Sequence, residues 1–368
     1  MKLPEPVLDM RNKTLTQPDL FNNNDFDSYD FPQTRYQGSK YKLRSWIGKK
    51  LSEIDFDSVI DAFSGTCSIA YTMKQLGKQV YCNDIFKFNY VIAKSLIEND
   101  GLLISEEDIA NVFECKKEFC YQNFIQANFN DIYYLDDENR TLDIIIQNIY
   151  QLKDELKQSI MLWPLFQTCI SKRPYNLFHR KNLYVRTSDV KRNFGNKATW
   201  DKPIKEHYVK FVKEFNKSVF NNGRKNIVFC GDIIQQNIHA DLVYIDPPYI
   251  PKTGTLTQYG EFYHFLEGLC NYTNWKNMID YNSKHRKLRQ SYSPWEDRSK
   301  IFDEFDKLFE KFTDSILAIS YRSDGIPEIT DIVAILKRHG KNTRIETIDY
   351  KYVLSTKSDS QEVLIIGE

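Results

Sequence analysis

Residues 58–84 read SVIDAFSGTCSIAYTMKQLGKQVYCND, and this stretch decides the fold. It begins with an apolar run that predicts a buried β-strand and passes through a tight turn at Gly65. The following residues have helical periodicity up to Gly77, and a second apolar run ends at Asp84. A strand, turn, helix and strand in this order predict a parallel sheet, whose ligands bind at the carboxyl ends of its strands.

Similar patterns extend this unit on both sides. The other predicted elements are helices at 43–54, 88–97 and 329–337 and strands at 226–230, 241–245, 315–320, 344–350 and 362–366. The sequence therefore predicts an α/β fold with a doubly wound, mostly parallel sheet, in which the last two strands close one edge as a hairpin.

The same patterns divide the chain into four segments. Residues 1–32 are polar and predict a loosely ordered segment. Residues 33–104 and 226–368 carry the strand and helix alternation and form two parts of one α/β domain. Residues 105–225 lack that alternation and predict an inserted, mainly helical domain.

Composition limits the class of protein. The 368 residues are 41% hydrophobic and 27% charged, which is typical of a globular protein. No run of 18 apolar residues is present and the first residues lack the apolar core of a signal peptide, so we expect a cytoplasmic protein without a membrane span. The seven cysteines form no C-x-x-C pair, which favours reduced thiols and gives no reason to expect a metal site.

The zero net charge hides a basic segment. Between Lys172 and Lys225 there are 15 lysines and arginines against four acidic residues, a net charge of +11. Aromatic residues are interleaved with these cations, a combination that favours nucleic acid over a merely solvated surface. The candidate DNA-contacting residues here are Arg173, Arg180, Lys181, Arg186, Lys191 and Arg192.

The group Asp246-Pro247-Pro248-Tyr249 follows the predicted strand at 241–245. The carboxylate and the proline carbonyls can accept hydrogen bonds from an amino group, and the tyrosine offers a flat face to a planar ring. Together they can hold an exocyclic aromatic amine by both hydrogens. The simpler alternative is a strand end that runs into a proline-rich turn around a capping aspartate.

Acidic residues end four predicted strands, at Asp61, Asp84, Asp232 and Asp246. Asp84 lies 19 residues after Gly65, where nucleotide-binding α/β folds place the carboxylate that binds ribose hydroxyls. A turn with a single glycine suits an adenosine cofactor without phosphates, such as S-adenosyl-L-methionine. A phosphate loop at 38–40 is disfavoured, because the G-x-x-x-x-G-K-[ST] spacing is absent.

With these motifs placed, the chain resembles the α-group N6-adenine DNA methyltransferases, the Dam-type class. The matching stretches are Arg35-Tyr36-Gln37-Gly38-Ser39-Lys40, Asp61-Ala62-Phe63-Ser64-Gly65, Asn83-Asp84-Ile85, Gly231-Asp232-Ile233 and Asp246-Pro247-Pro248-Tyr249. The resemblance covers about 33–100 and 226–368, and it implies a Rossmann-like class I methyltransferase with a target-recognition insert at 105–225. One departure is Cys67, where the family commonly has a second glycine.

The resemblance also implies roles for individual residues. S-adenosyl-L-methionine would be bound by Tyr36, Gly38, Lys40, Asp61, Phe63, Gly65, Asp84, Ile85, Asp232 and Asp246. The catalytic residues that hold the target base would be Asp246, Pro247, Pro248 and Tyr249. Tyr263, in an aromatic cluster that is otherwise typical of a core, would contact DNA.

The sequence thus predicts a site-specific adenine-N6 methyltransferase that acts on a flipped-out base in double-stranded DNA. By analogy it would be the modification enzyme of a restriction system, with a cognate endonuclease as a possible partner. The alternatives are an RNA adenine or DNA cytosine-N4 methyltransferase, or a DNA-binding module with a vestigial site. The intact Asp246 and Tyr249 argue against a vestigial site.

Overall fold

The computed structural model describes residues 30–32, 34, 36, 38–188, 197–252, 258–289, 293–349 and 361–368. Within them the strands are β1 (Ser58–Asp61), β2 (Gln79–Asp84), β3 (Ile227–Cys230), β4 (Leu242–Ile245), β5 (Ile250–Pro251), β6 (Ile316–Arg322), β7 (Gly325–Ile326), β8 (Thr343–Asp349) and β9 (Gln361–Gly367). Seven of these described strands form one sheet in the order β3-β2-β1-β4-β6-β9-β8, and β5 pairs with β7 separately.

Strand direction makes the sheet mostly parallel. Strands β3, β2, β1, β4 and β6 all run in one direction. Strand β9 runs antiparallel to both of its neighbours, β6 and β8, so the predicted terminal hairpin is confirmed. The strand order reverses at β1, which pairs with β2 on one side and with β4 on the other. A crevice for ligands is expected at such a switch point.

Helices cover the sheet and form the insert. They are α1 (Arg44–Ser52), α2 (Ser68–Gln75), α3 (Lys87–Ala93), α4 (Glu106–Phe113), α5 (Phe124–Asn128), α6 (Asp136–Tyr150), α7 (Glu155–Ser171), α8 (Tyr184–Thr187), α9 (Lys197–Asp201), α10 (Ile204–Ser218), α11 (Tyr259–Phe262), α12 (His264–Cys270), α13 (Trp275–Met278), α14 (Ile301–Lys311) and α15 (Ile329–Arg338). The described part of 105–225 contains helices α4 to α10 and no strand, as the sequence predicts.

Two apolar clusters lie on opposite faces of the sheet. Side chains alternate along β4, so Leu242 and Tyr244 join one cluster whereas Val243 and Ile245 join the other. The first cluster continues into the insert and includes Trp163 of α7. The second cluster packs α14 and α15 against the sheet. Because both faces are covered, the polar strand ends are the part of the sheet left for a ligand.

Candidate active site at the carboxyl ends of the parallel strands

The turn after β1 is held by residues at the end of β2. The Ser64 N–H donates to the Asn83 carbonyl at 2.9 Å, and the Gly65 N–H donates to Asp84 Oδ2 at 2.9 Å. Gly65 has a φ of +49°, and a Cβ built on it would meet no atom closer than the Phe63 carbonyl oxygen at 4.0 Å. The turn therefore needs glycine for its backbone conformation, and the space in front of it is open.

Cys67 adopts the conformation that a glycine would take. It precedes α2 with a φ of +64° and a ψ of +23°, and its N–H donates to the Ser64 carbonyl at 2.6 Å. Left-handed backbone costs a non-glycine residue about 1–2 kcal/mol. The departure from the family pattern at Cys67 therefore keeps the turn at a modest energetic cost.

Asn83 joins the ends of three strands. Its side-chain amide donates to the carbonyls of Ala62, after β1, at 3.3 Å and of Gly231, after β3, at 3.1 Å. The Gly231 N–H donates to the Asp84 carbonyl at 2.9 Å. These bonds fix the backbone that presents Asp84 and Asp232, two of the predicted cofactor-binding residues.

The carboxylate of Asp84 already organises two backbone segments. Its second oxygen, Oδ1, accepts from the Phe86 N–H at 2.9 Å. Burial raises the pKa of this carboxyl group, and the backbone donors oppose the rise only in part. The neighbouring Ile85 is 52% exposed, so it offers an apolar side chain beside the acid.

Asp61, the first predicted acidic strand end, is almost completely buried. Its Oδ2 accepts from the Ala70 N–H of α2 at 3.2 Å. No described residue donates a hydrogen bond of normal geometry to Oδ1. Burial, reinforced by the negative charge of Asp246, raises the pKa of Asp61 to about 8. The Oδ1 atom of Asp61 can therefore accept a further hydrogen bond.

The catalytic motif follows β4 as predicted. Asp246 Oδ1 accepts two hydrogen bonds, from the Tyr249 hydroxyl at 2.7 Å and from Lys40 Nζ at 2.6 Å. Lys40 Nζ also lies 4.7 Å from the centre of the Tyr249 ring. The Asp246 side chain is 16% exposed, so it can be reached from outside. The Lys40 ammonium therefore has two acceptors, the Asp246 carboxylate and the Tyr249 hydroxyl, which lies 2.5 Å away.

Glu362 completes this cluster and was not anticipated from the sequence. It lies in β9, is fully buried, and its Oε1 is 3.5 Å from Lys40 Nζ and 3.2 Å from the Tyr249 hydroxyl. Burial alone would lower the pKa of Lys40, but Asp246 and Glu362 together raise it above its ordinary value. The only sequence signal for Glu362 is an acidic residue at the start of an apolar strand.

Two consecutive residues connect the cofactor turn with the catalytic motif. The hydroxyl of Ser39 lies 3.0 Å from that of Thr66, which follows Gly65. The next residue, Lys40, binds Asp246. The three motifs predicted to form one site are therefore brought together by direct contacts.

The opening motif also contributes an aromatic stack. The Tyr36 ring stacks on that of Tyr263, at 4.4 Å, and on that of Tyr259, at 5.8 Å, and it is nearly parallel to both. Gly38 passes so close to Tyr259 that a Cβ would lie 2.4 Å from its hydroxyl oxygen. Tyr259 therefore helps to shape the site.

The predicted DNA-contacting residues have different environments. Arg173 is 1% exposed and stacks on Tyr133, and Arg186 is 4% exposed and binds both oxygens of Glu138 at 2.8 Å. Tyr263 is fully buried in the stack on Tyr36. These three side chains are held inside the protein, which corrects the expectation that they face DNA.

Two other candidates lie on the surface. Arg180 is exposed, and Lys181 is exposed beside Asp131 at 2.8 Å. Lys191 and Arg192 lie outside the described residues.

The strand order, the reversed β9 and the acidic strand ends define a Rossmann-like class I methyltransferase. The model of the family described as D12 class N6 adenine-specific DNA methyltransferase matches residues 36–323. The chain belongs to this family, and it is an S-adenosylmethionine-dependent DNA adenine methyltransferase.

Relatives agree along most of the chain. It is 27% identical over 341 residues to type II methyltransferase M2.HphI of Haemophilus parahaemolyticus, covering 90% of this chain and 95% of that protein. It is 23% identical over 340 residues to M.NlaIII of Neisseria lactamica, covering 89% and 94%. Among solved structures, the rRNA methyltransferase aviRa of Streptomyces viridochromogenes covers 96% of this chain and 94% of its own at 10% identity. Its TM-score is 0.31, so the fold assignment rests on the strand order instead.

The residues present fit S-adenosylmethionine. Gly65 leaves the turn free of a side chain that would obstruct a ligand, and Asp61 Oδ1, which lacks a hydrogen-bond partner of normal geometry, can accept from the cofactor's ammonium group. No cluster of three potential metal ligands occurs among the described residues. In the same described part of the chain, no helix is long and apolar enough to cross a membrane.

Proposed function

We propose that this chain methylates an adenine that has been rotated out of double-stranded DNA into the Asp246 site. The observation that carries the proposal is the position of Lys40 Nζ. A nitrogen donor there meets the Asp246 carboxylate at 2.6 Å and the Tyr249 hydroxyl at 2.5 Å, at the rim of the tyrosine ring. The amino group of an adenine also needs an acceptor in its plane, and the Tyr249 ring would offer the base a surface for stacking.

The residues of the motif would activate that amino group. Its nitrogen is a poor nucleophile because the lone pair is delocalised into the purine ring. Hydrogen bonds to Asp246 and to the Pro247 carbonyl favour a pyramidal nitrogen with a localised lone pair. Pro248 fixes the backbone path between these acceptors and Tyr249. S-adenosylmethionine supplies an electrophilic methyl carbon on a sulfonium sulfur, so positioning the nitrogen is the main task of the protein.

Lys40 has to leave Asp246 when the base enters. Rotating a base out of a duplex costs a few kcal/mol. Stacking on Tyr249 recovers about 1–3 kcal/mol of it. The displaced ammonium stays beside Glu362, since that carboxylate is 3.5 Å away and fully buried. Lys40 would therefore neutralise the site before the base arrives.

For the cofactor we propose the roles that the resemblance implies. Asp84 binds the ribose hydroxyls, Asp232 receives the adenine amino group, and Asp61 accepts from the methionine ammonium. Phe63, Gly65 and Ile85 line the adenosine, whereas Tyr36, Gly38 and Lys40 face the methionine end. These roles are supported by the common position of the residues near the carboxyl ends of the parallel strands.

The biological setting is proposed from the relatives. Several are named type II methyltransferases or modification methylases. These names support a role as the modification enzyme of a restriction system, with an endonuclease that recognises the same site as partner. A cytoplasmic location is part of the same proposal.

Replacing Asp246 tests the assignment. Asp246→Ala is expected to abolish transfer of tritiated methyl groups to DNA while binding of duplex DNA persists. Asp246→Asn keeps the shape and one acceptor oxygen, which guards against a folding defect, and it should transfer methyl groups more slowly than the wild type because an amide is a weaker acceptor than a carboxylate. Asp303→Ala, at an exposed position of α14, serves as the matched control with wild-type transfer. Normal transfer by both Asp246 variants would refute the proposed site.

A further inference from the structure

An open groove of about 420 Å³ lies between the helical insert and the segment that follows α13. Three cations (Lys181, Lys284 and Arg286) and three asparagines (Asn128, Asn130 and Asn282) line it. No acidic side chain lines this groove among the described residues. Positive charge favours the phosphates of a nucleic acid, and amides and guanidinium groups are the side chains that recognise base edges.

The wall formed by residues 281–286 is a short hairpin loop with a fixed shape. Its two arms are joined by hydrogen bonds from the Asp280 N–H to the Lys287 carbonyl and from the Arg289 N–H to the Met278 carbonyl, each of 2.8 Å. Inside the loop, Arg286 Nη1 donates to the Tyr281 carbonyl at 2.6 Å, and the Asn282 N–H donates to Asp280 Oδ1 at 3.0 Å. A preorganised loop loses little conformational entropy when it binds.

The 281–286 loop is also anchored to both parts of the protein. From the insert, the buried Tyr133 hydroxyl lies 2.9 Å from the His285 carbonyl and also contacts the Phe178 carbonyl and His264 Nε2. From α11, Glu261 lies 3.4 Å from both His285 Nε2 and Lys287 Nζ. Helix α11 begins with Tyr259, whose ring stacks on Tyr36 of the cofactor-binding opening. The groove is thus connected by rigid contacts to the site of methyl transfer.

The tip of the loop projects polar groups that are available to a ligand. Tyr281, Asn282 and Lys284 are exposed. Across the groove, the Tyr281 hydroxyl donates to Asn128 Oδ1 at 3.4 Å, so the two walls are in contact. The major groove of DNA is about 12 Å wide and accepts a two-stranded hairpin. A hairpin that carries asparagine and basic side chains is therefore more complementary to the major groove of DNA than to the surface of an acidic protein.

We propose that the 281–286 loop enters the major groove of duplex DNA and that Asn282 reads a base pair beside the target adenine. This inference rests on the proposed function. It means that target recognition is shared between the insert at 105–225 and a loop that follows the catalytic motif. Lys284 and Lys181, on the rim, would bind phosphates and hold the duplex in register.

The test compares methylated sequences in DNA from cells that express each variant, read by single-molecule sequencing. Asn282→Ala is expected to lower methylation at the preferred sequence and to spare sequences that differ at one flanking base pair, so that the preference there relaxes by at least about fivefold. Lys284→Ala is expected to weaken methylation equally in all sequence contexts. Lys337→Ala, an exposed lysine of α15 on the other face of the sheet, is the matched control and should resemble the wild type.

The possible outcomes separate this inference from the proposed function. An unchanged sequence preference in Asn282→Ala overturns base reading by the loop, as does a uniform loss of methylation in that variant. If the wild-type protein methylates no adenine, the proposed function itself is refuted. The inference is supported if the wild-type protein methylates adenine and if, among the variants, only Asn282→Ala has a relaxed preference at the flanking base pair.

Discussion

Lys40 Nζ and Asp246 Oδ1 form a 2.6 Å ion pair between residues 206 positions apart in the chain. The contact joins the opening motif to the catalytic motif, and Ser39 extends it to the turn at Gly65 through Thr66. Because Lys40 is 6% exposed and Glu362 is fully buried, this pair neutralises charge in a largely dehydrated region. The same contact serves stability and, in the proposed mechanism, occupies the place of the substrate.

Removing the Lys40 ammonium should destabilise the fold. Breaking a buried ion pair on one side costs about 3–5 kcal/mol, because the remaining charges are left uncompensated. We expect Lys40→Met to lower the free energy of unfolding in urea by that amount, and Lys42→Met, at an exposed neighbouring position, to change it little. Adding Glu362→Gln to Lys40→Met should recover part of the loss. Equal stability of the two lysine variants would contradict this role.

The buried carboxyl group of Asp61 should make stability depend on pH. Its pKa is about 8 in the folded protein against an ordinary value of 3.8, so the folded state keeps a proton that the unfolded state loses. This contribution is fully present below pH 3.8 and is lost as pH rises towards 8. We expect urea unfolding to show a larger fall in stability between about pH 5 and 8 for the wild type than for Asp61→Asn. Asp303→Asn should behave as the wild type.

Cofactor binding should release the same proton. An ammonium group at Asp61 Oδ1 favours the carboxylate and lowers its pKa, so S-adenosylmethionine binding at pH 7 should release up to about one proton more in the wild type than in Asp61→Asn. Calorimetry in two buffers with different ionisation enthalpies measures this difference. Identical proton release by both proteins would remove Asp61 from the methionine end of the site.

The sequence predicts the sheet and the polar residues at its strand ends well, because both depend on local patterns. Alternating apolar runs give the strands, and the motifs place Asp61, Asp84 and Asp246 at strand ends that parallel pairing brings together. It does not reveal that β9 lies between β6 and β8, because the neighbours in a sheet are set by tertiary packing.

Contacts between distant segments are the part that the sequence could not supply. From composition, Arg173 and Arg186 are expected to be surface cations. In the structure, Arg186 and Lys172 bind Glu138, which ends an acidic stretch at least 34 positions earlier in the chain. Glu362 meets Lys40 only after the whole sheet has formed. Side-chain burial and ion pairing therefore required the folded structure.

Gly38 should be needed for the aromatic stack beside the cofactor. An alanine there would place its Cβ 2.4 Å from the Tyr259 hydroxyl oxygen, and a φ of +84° adds about 1–3 kcal/mol of backbone strain. We expect Gly38→Ala to weaken S-adenosylmethionine binding at least about tenfold, measured by calorimetry. Tyr259→Phe, which removes that oxygen, should restore part of the affinity. Gly340→Ala has a similar φ of +77° and no neighbouring atom within 4 Å, so it should change stability alone.

Variants of Arg186 and Arg180 should distinguish a cation that stabilises the fold from one that binds DNA. Arg186→Ala removes two charge-assisted hydrogen bonds from Glu138 and leaves Lys172 as its partner, so we expect a loss of at least about 1.5 kcal/mol in the free energy of unfolding. The exposed Arg180→Ala should change stability by less than about 0.5 kcal/mol. It should instead reduce the slope of log affinity against log salt concentration by about 0.9, the value for one phosphate contact, in anisotropy titrations of a labelled duplex. Arg186→Ala should keep the wild-type slope under conditions in which it is folded. A reduced slope in Arg186→Ala, or an unchanged slope in Arg180→Ala, would contradict the prediction that the exposed cations of the basic segment are the ones that bind DNA.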